Sequence, residues 1–317
     1  MTLATNALTT FSAIGQREDL SDVIYRVDPT DTPFISMCEA VKATAVTHEW
    51  QTQALAAAAS NAQLEGDEVS ADAATVTVRL ANKCQISRKV PRVTGTQLAV
   101  ETAGRDNELD YQTMLKGLEL RRDMETVLCG LNQAKVTGDS TTARKLASVE
   151  AWIATNDDLD SGGSSPSPVD GTDPRNDGTQ RAFTEAQLKN VLNLTFTSGG
   201  KPDVIMCGAF NKQQFSTFTG RATPTEDTGK KKIVAAVDAY ESDFGTLKVV
   251  ANRFSRSRSV YVFQSDMWAV AYLPGRKFST TPLARTGDSD WKMILSEYTL
   301  EARNEKSSGG IFDLTTS

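Results

Sequence analysis

Two alternating stretches on either side of a long polar excursion constrain this chain more than any other feature. From Val46 the side chains repeat with period two: Val46, His48, Trp50 and Thr52 fall on one face, Thr47, Glu49 and Gln51 on the other. The second run sets Val76, Val78 and Leu80 against Thr75, Thr77 and Arg79. Between them lies "ALAAAASNAQLEGDEVSADAA", small and polar, so the pattern predicts two antiparallel strands joined by an extended excursion. At about 3.3 Å per residue, the roughly seventeen residues from Val46 to Ala62 span on the order of 55 Å. That is longer than a hairpin needs to cover its own core. Charge is sorted along it, with Glu49, Glu65, Asp67, Glu68 and Asp72 on the outgoing limb and tip. Arg79, Lys83, Arg88, Lys89 and Arg92 lie on the return. Two readings of that sorting stand equal: solvated strand faces that pair with each other, or a projection that docks on another copy of the protein.

Ahead of the hairpin, residues 1 to 45 read as an arm. Asp28-Pro29 and Thr32-Pro33 punctuate it, and proline extends the residue before it. "DLSDVIYRV" suits a short helix capped by Asp19 or Ser21. Its apolar residues, with Phe34, Ile35 and Met37, are too few to close a core and must pack on something else.

After the hairpin, Arg105 to Asn132 predicts the longest helix, about 42 Å. Asp106 is the expected N-cap, with Asp110 in an acidic first turn. Met114, Leu118, Met124, Val127, Leu128 and Leu131 are the expected buried stripe, and Arg121 and Arg122 the residues that pair with Glu125 and Glu119. Residues 156–180, rich in Gly, Ser, Pro and Asp, read as a long mobile loop. "TEAQLKNVL" carries a capping box from Thr184 to Gln187, "DVIMC" a buried strand, and "NKQQFSTFTG" a helix stopped by Gly220. Alternating strands then fill the rest, which makes the second half a compact α+β domain with largely antiparallel strands.

Chemistry is hard to assemble from these residues. The one histidine, His48, sits in a strand without a second ligand, and the four cysteines, Cys38, Cys84, Cys129 and Cys207, show no CxxC spacing. Phosphate-loop, nucleophile-elbow, dinucleotide and zinc-protease motifs are absent. No catalytic residue, cofactor or metal is therefore expected. The net charge of −6 argues against nucleic-acid binding through phosphate contacts. No run of apolar residues approaches a membrane span, so no membrane partner is expected, and synthesis and residence in a reducing cytoplasm are.

Two stretches carry a resemblance. "EDLSDVIYRVDPTDTPFIS" near the start and "SEYTLEARNEKS" near the end resemble those of a family of tailed-bacteriophage major capsid proteins with the Hong Kong 97 type fold. The resemblance implies a capsid protein, not an enzyme, made in the host bacterial cytoplasm and self-assembling there as hexamers and pentamers into an icosahedral virion shell around double-stranded DNA. It implies an N-terminal arm at 1–45, an extended loop at 46–95, and a peripheral domain with its spine helix at 96–139. An axial domain at 140–270 and C-terminal strands at 271–317, returning to the peripheral domain, complete it. Copies of itself are the expected partners, with scaffolding, portal and decoration proteins beside them and DNA held without sequence-specific binding. The chain lacks the prototype's scaffolding segment of about a hundred residues; a separate scaffold and a removed segment both fit. The arm and hairpin then give the expected assembly contacts: Ile24, Tyr25, Phe34, Glu65, Asp67, Glu68, Arg88 and Lys89, the last two facing acidic groups on a neighbour. An encapsulin-like compartment of the same fold is the alternative, and an enzyme of unrecognised type a remoter one.

Overall fold

A computed structural model describes residues 28–66, 68, 71–218 and 238–316. The first sheet is organised by one strand, β13 (Ser289–Ala302), which pairs with four others. Along one edge it meets β11 (Trp268–Tyr272) and β12 (Ser279–Pro282), both antiparallel. Along the other it meets β4 (Gln85–Lys89) and β5 (Arg92–Thr94). β1 (Glu39–Lys42) adds a parallel edge to β11, so residues expected in a detached arm are part of the subunit's own sheet.

α3 (Glu108–Glu125) lies across β4 and β13 and then widens into a π-turn at Thr126–Gly130. It follows the short helices α1 (Pro33–Met37) and α2 (Gly95–Ala99). α3 is shorter than expected at both ends, and its N-cap is Asn107, not Asp106. The Asn107 side-chain oxygen accepts from the amides of Leu109 and Asp110 at 2.9 and 3.2 Å, satisfying donors that the helix leaves open. The expected stripe divides. Met124 and Leu128 are buried, but Met114 is 52% and Leu131 41% exposed, and the buried Leu120 lies outside the expected stripe.

The second sheet runs in the order β6, β14, β10, β7, β9, β8, formed by Asp157–Asp158, Gly309–Ile311, Val260–Phe263, Val204–Cys207, Gly245–Ala251 and Ala239–Ser242. Alternation through its central strands separates two cores. Ile205, Cys207, Val260 and Val262 pack with Leu188, Val191 and Leu192 of α4 (Glu185–Thr197). Val204, Met206, Tyr261 and Phe263 turn the other way, onto Leu120, Met124, Trp152, Trp268 and Tyr298. Burial on both faces is why "VIMC" and "VYVF" read as unbroken apolar runs. The capping box forms, the Thr184 amide donating to Gln187 Oε1 at 2.9 Å. α5 (Ala209–Phe215) ends before the expected stop at Gly220, which lies outside the described residues.

Two further expectations need correction. Residues 156–180 do not form a free loop: β6 joins the second sheet, and Ser164 pairs with Asn176. Arg175 is fully buried, with Asp157 at 2.9 Å and the Phe312 ring 3.5 Å beneath its guanidinium. The C-terminal strands do not all return to the helix-bearing sheet either. β12 and β13 do, but β14 pairs with β10 and β6 in the second sheet.

Candidate functional site

α3 holds α1 through two side chains one turn apart. The Glu125 carboxylate accepts from the amides of Phe34 at 2.7 Å and Ile35 at 2.9 Å, and from Asn252 Nδ2 at 2.7 Å. Arg121 donates to Thr32 Oγ1 at 2.7 Å and Ser36 Oγ at 3.2 Å. Burial raises the Glu125 carboxyl above its ordinary range, opposed by the backbone and Asn252 hydrogen bonds and by Arg121. Phe34 enters the main core and meets Phe263 and Trp268 at ring-centroid distances of 5.4 and 6.4 Å. The expectation that Phe34 waits for a neighbour is therefore wrong: "TDTPF" is sequence-remote from its partners, not without them.

The hairpin forms where the alternation placed it. β2 (Thr47–Thr52) pairs antiparallel with β3 (Val78–Lys83), Trp50 opposite Leu80. Its root is bound to the subunit. Trp50 packs 5.3 Å from Trp152, His48 Nε2 meets Glu301 Oε2 at 2.7 Å, and Asn82 donates to the Leu300 carbonyl at 2.8 Å. Beyond Thr52 the excursion leaves the body. Leu55, Leu64 and Val76 are 97, 82 and 81% exposed. Glu65 lies exposed in the turn at Glu65–Gly66, and Glu68 is exposed further along. Ile24, Tyr25 and Asp67 fall outside the described residues.

Arg88 and Lys89 belong to β4, beyond the hairpin, and they part company. Lys89 Nζ pairs with Asp123 of its own α3 at 2.7 Å, which corrects the expectation of an acidic partner on a neighbour. Arg88 is exposed and makes no ion pair among the described residues.

The closing stretch "EYTLEARNE" ties these parts together. Glu297 receives Arg144 at 2.9 Å and Arg276 at 2.5 Å. Glu301 receives His48, Arg303 reaches Glu39 of β1 at 2.7 Å, and Glu305 Oε1 accepts from Thr155 at 2.5 Å. Each charged side chain of the stretch thus holds a different segment: the turn after α3, the hairpin root, the edge strand, the start of the second lobe. Sequence reasoning took Glu125 for a pairing partner of Arg121 or Arg122 and missed its hold on α1; it also missed Glu297 and the buried Glu150, which takes Arg256 at 2.5 Å and the Tyr261 hydroxyl at 2.9 Å. For Glu125 a signal existed: a carboxylate set between Met124 and Leu128 in an apolar stretch.

Among the described residues no hydrolytic or redox constellation accompanies these groups. Burial lifts the Cys84 and Cys207 thiols to about 11 and raises Cys129 well above its ordinary range, so they stay protonated and unreactive. Among the described residues no cluster of His, Cys, Asp or Glu is placed to hold a metal, and no helix is long and apolar enough to cross a membrane.

The two-sheet α+β fold matches that of phage capsid structures. The fold is similar to that in the cyanophage A-1(L) capsid asymmetric unit (TM-score 0.65, 12% identity, 97% of this chain and 98% of that one). It is also similar to the capsid of a native GTA particle computed with C5 symmetry (TM-score 0.62, 8% identity, 95% and 96%). The profile of the SU10 major capsid protein family matches residues 3–315, and the chain belongs to that family. The major capsid protein of Escherichia phage Phieco32 is 29% identical over 337 residues, covering 94% of each chain. The protein is thus structural, not an enzyme: the major capsid protein that forms the icosahedral shell of a tailed-phage virion.

Proposed function

We propose that the subunit joins hexamers and pentamers by laying the excursion of its hairpin, residues 53–77, over a neighbouring copy. The observation that carries this is the exposure of Leu55, Leu64 and Val76 on a segment whose root is firmly bound. Leucine held in water forgoes roughly 1.5–3 kcal/mol that burial would return, and a second copy is the surface always at hand in a shell. The acidic tip, Glu65, Asp67 and Glu68, and the exposed Arg88 are the charged contacts of that arrangement. The lobe built on the second sheet, roughly residues 140–270, is the axial domain that meets its copies at the capsomer centre. Five-fold symmetry in the GTA capsid of similar fold supports the pentamer. A net charge of −6 suits a wall that encloses DNA without gripping it. Scaffolding, portal and decoration proteins are its further partners.

The test replaces residues 54–76 by a short Gly–Ser link. The subunit is expected to keep its circular dichroism and melting profile, because the root contacts remain, and to yield no closed particles by electron microscopy and sedimentation. Closed particles of normal size would overturn the reading.

A further inference from the structure

The ribbon does not stop at the hairpin root. β3 continues through Cys84 into β4, and both follow one antiparallel line along β13. Asn82 reaches the Leu300 carbonyl, Gln85 lies opposite Tyr298, and Lys89 lies opposite Ile294. Arg88 therefore stands about 33 Å along the strand from Val78, where the excursion departs, and on the far side of the root from its tip.

β4 presents two different faces. Ser87 meets the Tyr298 hydroxyl at 3.3 Å and Lys89 meets Asp123 of α3, so these two point inward. Alternation puts Ile86 and Arg88 on the opposite face, and both are exposed, as is Val90 just past the strand. Ile86 forms one wall of a hollow of about 390 Å³, and the turn from Thr137 to Arg144, with Ala143 exposed on it, forms the rest. Charge around the hollow is unbalanced. Arg88, Arg144 and Arg276 stand against two carboxylates that are already engaged. Glu297 is buried under Arg144 and Arg276, and Asp139 accepts from the amides of Thr141 and Thr142, both at 2.7 Å.

The excursion is the complement of this patch. Residues 53–77 carry Glu65, Asp67, Glu68 and Asp72 and no lysine or arginine. Leu64 and Glu65 are adjacent and exposed at its turn, an apolar and an acidic side chain to match a hollow beside a guanidinium. Leu55, Leu64 and Val76 all stay exposed, so the excursion does not fold back over its own β4. A contact between two different patches on successive copies is heterologous, and such contacts close into rings.

We infer that the hollow between Ile86 and the Thr137–Arg144 turn is the seat of a second copy's excursion, with Leu64 entering it against Ile86 and Ala143 and Glu65 on Arg88. This seat presupposes that the excursion docks on a neighbour, as proposed above, and fixes where it lands.

Charge exchange in the full-length subunit tests it. Glu65→Arg and Arg88→Glu, each of normal circular dichroism, are expected to raise the concentration at which shells form by about tenfold. The combined variant is expected to return it to within about threefold of wild type. Single variants that assemble like wild type, or a combined variant no better than the worse single, would overturn the seat. Leu64→Cys with Ala143→Cys, treated as assembled shells with a short bis-maleimide, should give a ladder of covalently joined subunits on a denaturing gel, each single variant serving as the control for the native thiols. Links confined within single chains, or shells that give no ladder, would overturn it as well. If shells are nevertheless lost when residues 54–76 are replaced, the docking stands and only its seat is wrong; closed shells from that replacement would remove the docking itself.

Discussion

Replacing Arg175 by methionine separates a composition argument from a structural one. The segment around it, "SGGSSPSPVDGTDPRNDG", is poor in apolar residues, and on composition alone its melting contribution is small. In the structure the Arg175 guanidinium is fully buried. It donates to Asp157 Oδ2 at 2.9 Å and to the Ile153 carbonyl, and it stacks 3.5 Å from the Phe312 ring centroid. Its backbone is gripped from both sides by Asn132, which accepts from the amide at 3.0 Å and donates to the carbonyl at 2.5 Å. Methionine preserves most of the stem volume and removes the charge. What is lost is one partner of a buried ion pair, which costs about 3–5 kcal/mol because Asp157 is left poorly solvated.

For a chain of this size that corresponds to a fall in melting temperature of roughly 4–8 °C. Differential scanning calorimetry of the unassembled subunit measures it, and limited proteolysis reads the segment directly, with new cleavage expected between residues 160 and 178. Adding Asp157→Asn should recover part of the loss, because a neutral amide tolerates burial better than an unpaired carboxylate. A melting temperature within about 2 °C of wild type, with proteolysis unchanged, would show that the segment is held by its backbone alone and that the buried charge contributes nothing.

Three further outcomes are expected. Glu125→Ala removes the acceptor of three hydrogen bonds and should lower stability by about 2–4 kcal/mol, with protease reaching residues 33–37 first; an arm that stays protected would refute the clamp. Lys89→Glu sets like charges against Asp123 and Glu119 and should cost the isolated subunit about 1 kcal/mol, whereas Arg88→Glu should leave its melting unchanged and show only in a sedimentation series of assembly against salt. Glu301 is held below its ordinary range chiefly by its hydrogen bond with His48, against the opposing effect of burial. Its contribution is therefore complete above about pH 4.5 and lost as pH falls through the lowered value. Glu301→Gln should flatten the acid limb of the stability profile, and an unchanged limb would exclude this pair as its source.

What was legible in the sequence was whatever is decided by neighbours in the chain. The alternation of Thr47–Thr52 with Val78–Leu80 gave the ribbon and its pairing, because period two fixes which face each side chain takes. The two apolar strands of the second sheet, the capping box at Thr184 and the long C-terminal strand followed for the same reason. The errors share one cause. Phe34, Glu125 and Arg175 each take their partners from segments far along the chain, and Phe34 is 91 residues from the carboxylate that binds its amide. Composition marked the stretch around Arg175 as mobile because composition counts apolar surface and cannot see one buried guanidinium. The helix stripe failed differently. α3 has apolar residues on two faces, and a single periodic fit merged Met114 and Leu118, which face outward, with Met124 and Leu128, which face the core.

Where the two stretches that resemble a capsid family are described, both bind segments distant in sequence. "TDTPF" supplies the backbone amides and the ring that seat the arm on α3. "EYTLEARNE" supplies carboxylates and a guanidinium to four other segments. A surface position tolerates many side chains, but replacing a buried carboxylate such as Glu297 takes the partner from the half-buried Arg144 and from the more exposed Arg276. In a shell protein those ties have a second consequence. The arm strand β1 and the hairpin root are both held by β13, through Arg303 to Glu39 and through Glu301 to His48, two residues apart on one strand end. Under the docking proposed above, a load on the hairpin is delivered at its root to the strand that pairs with four others.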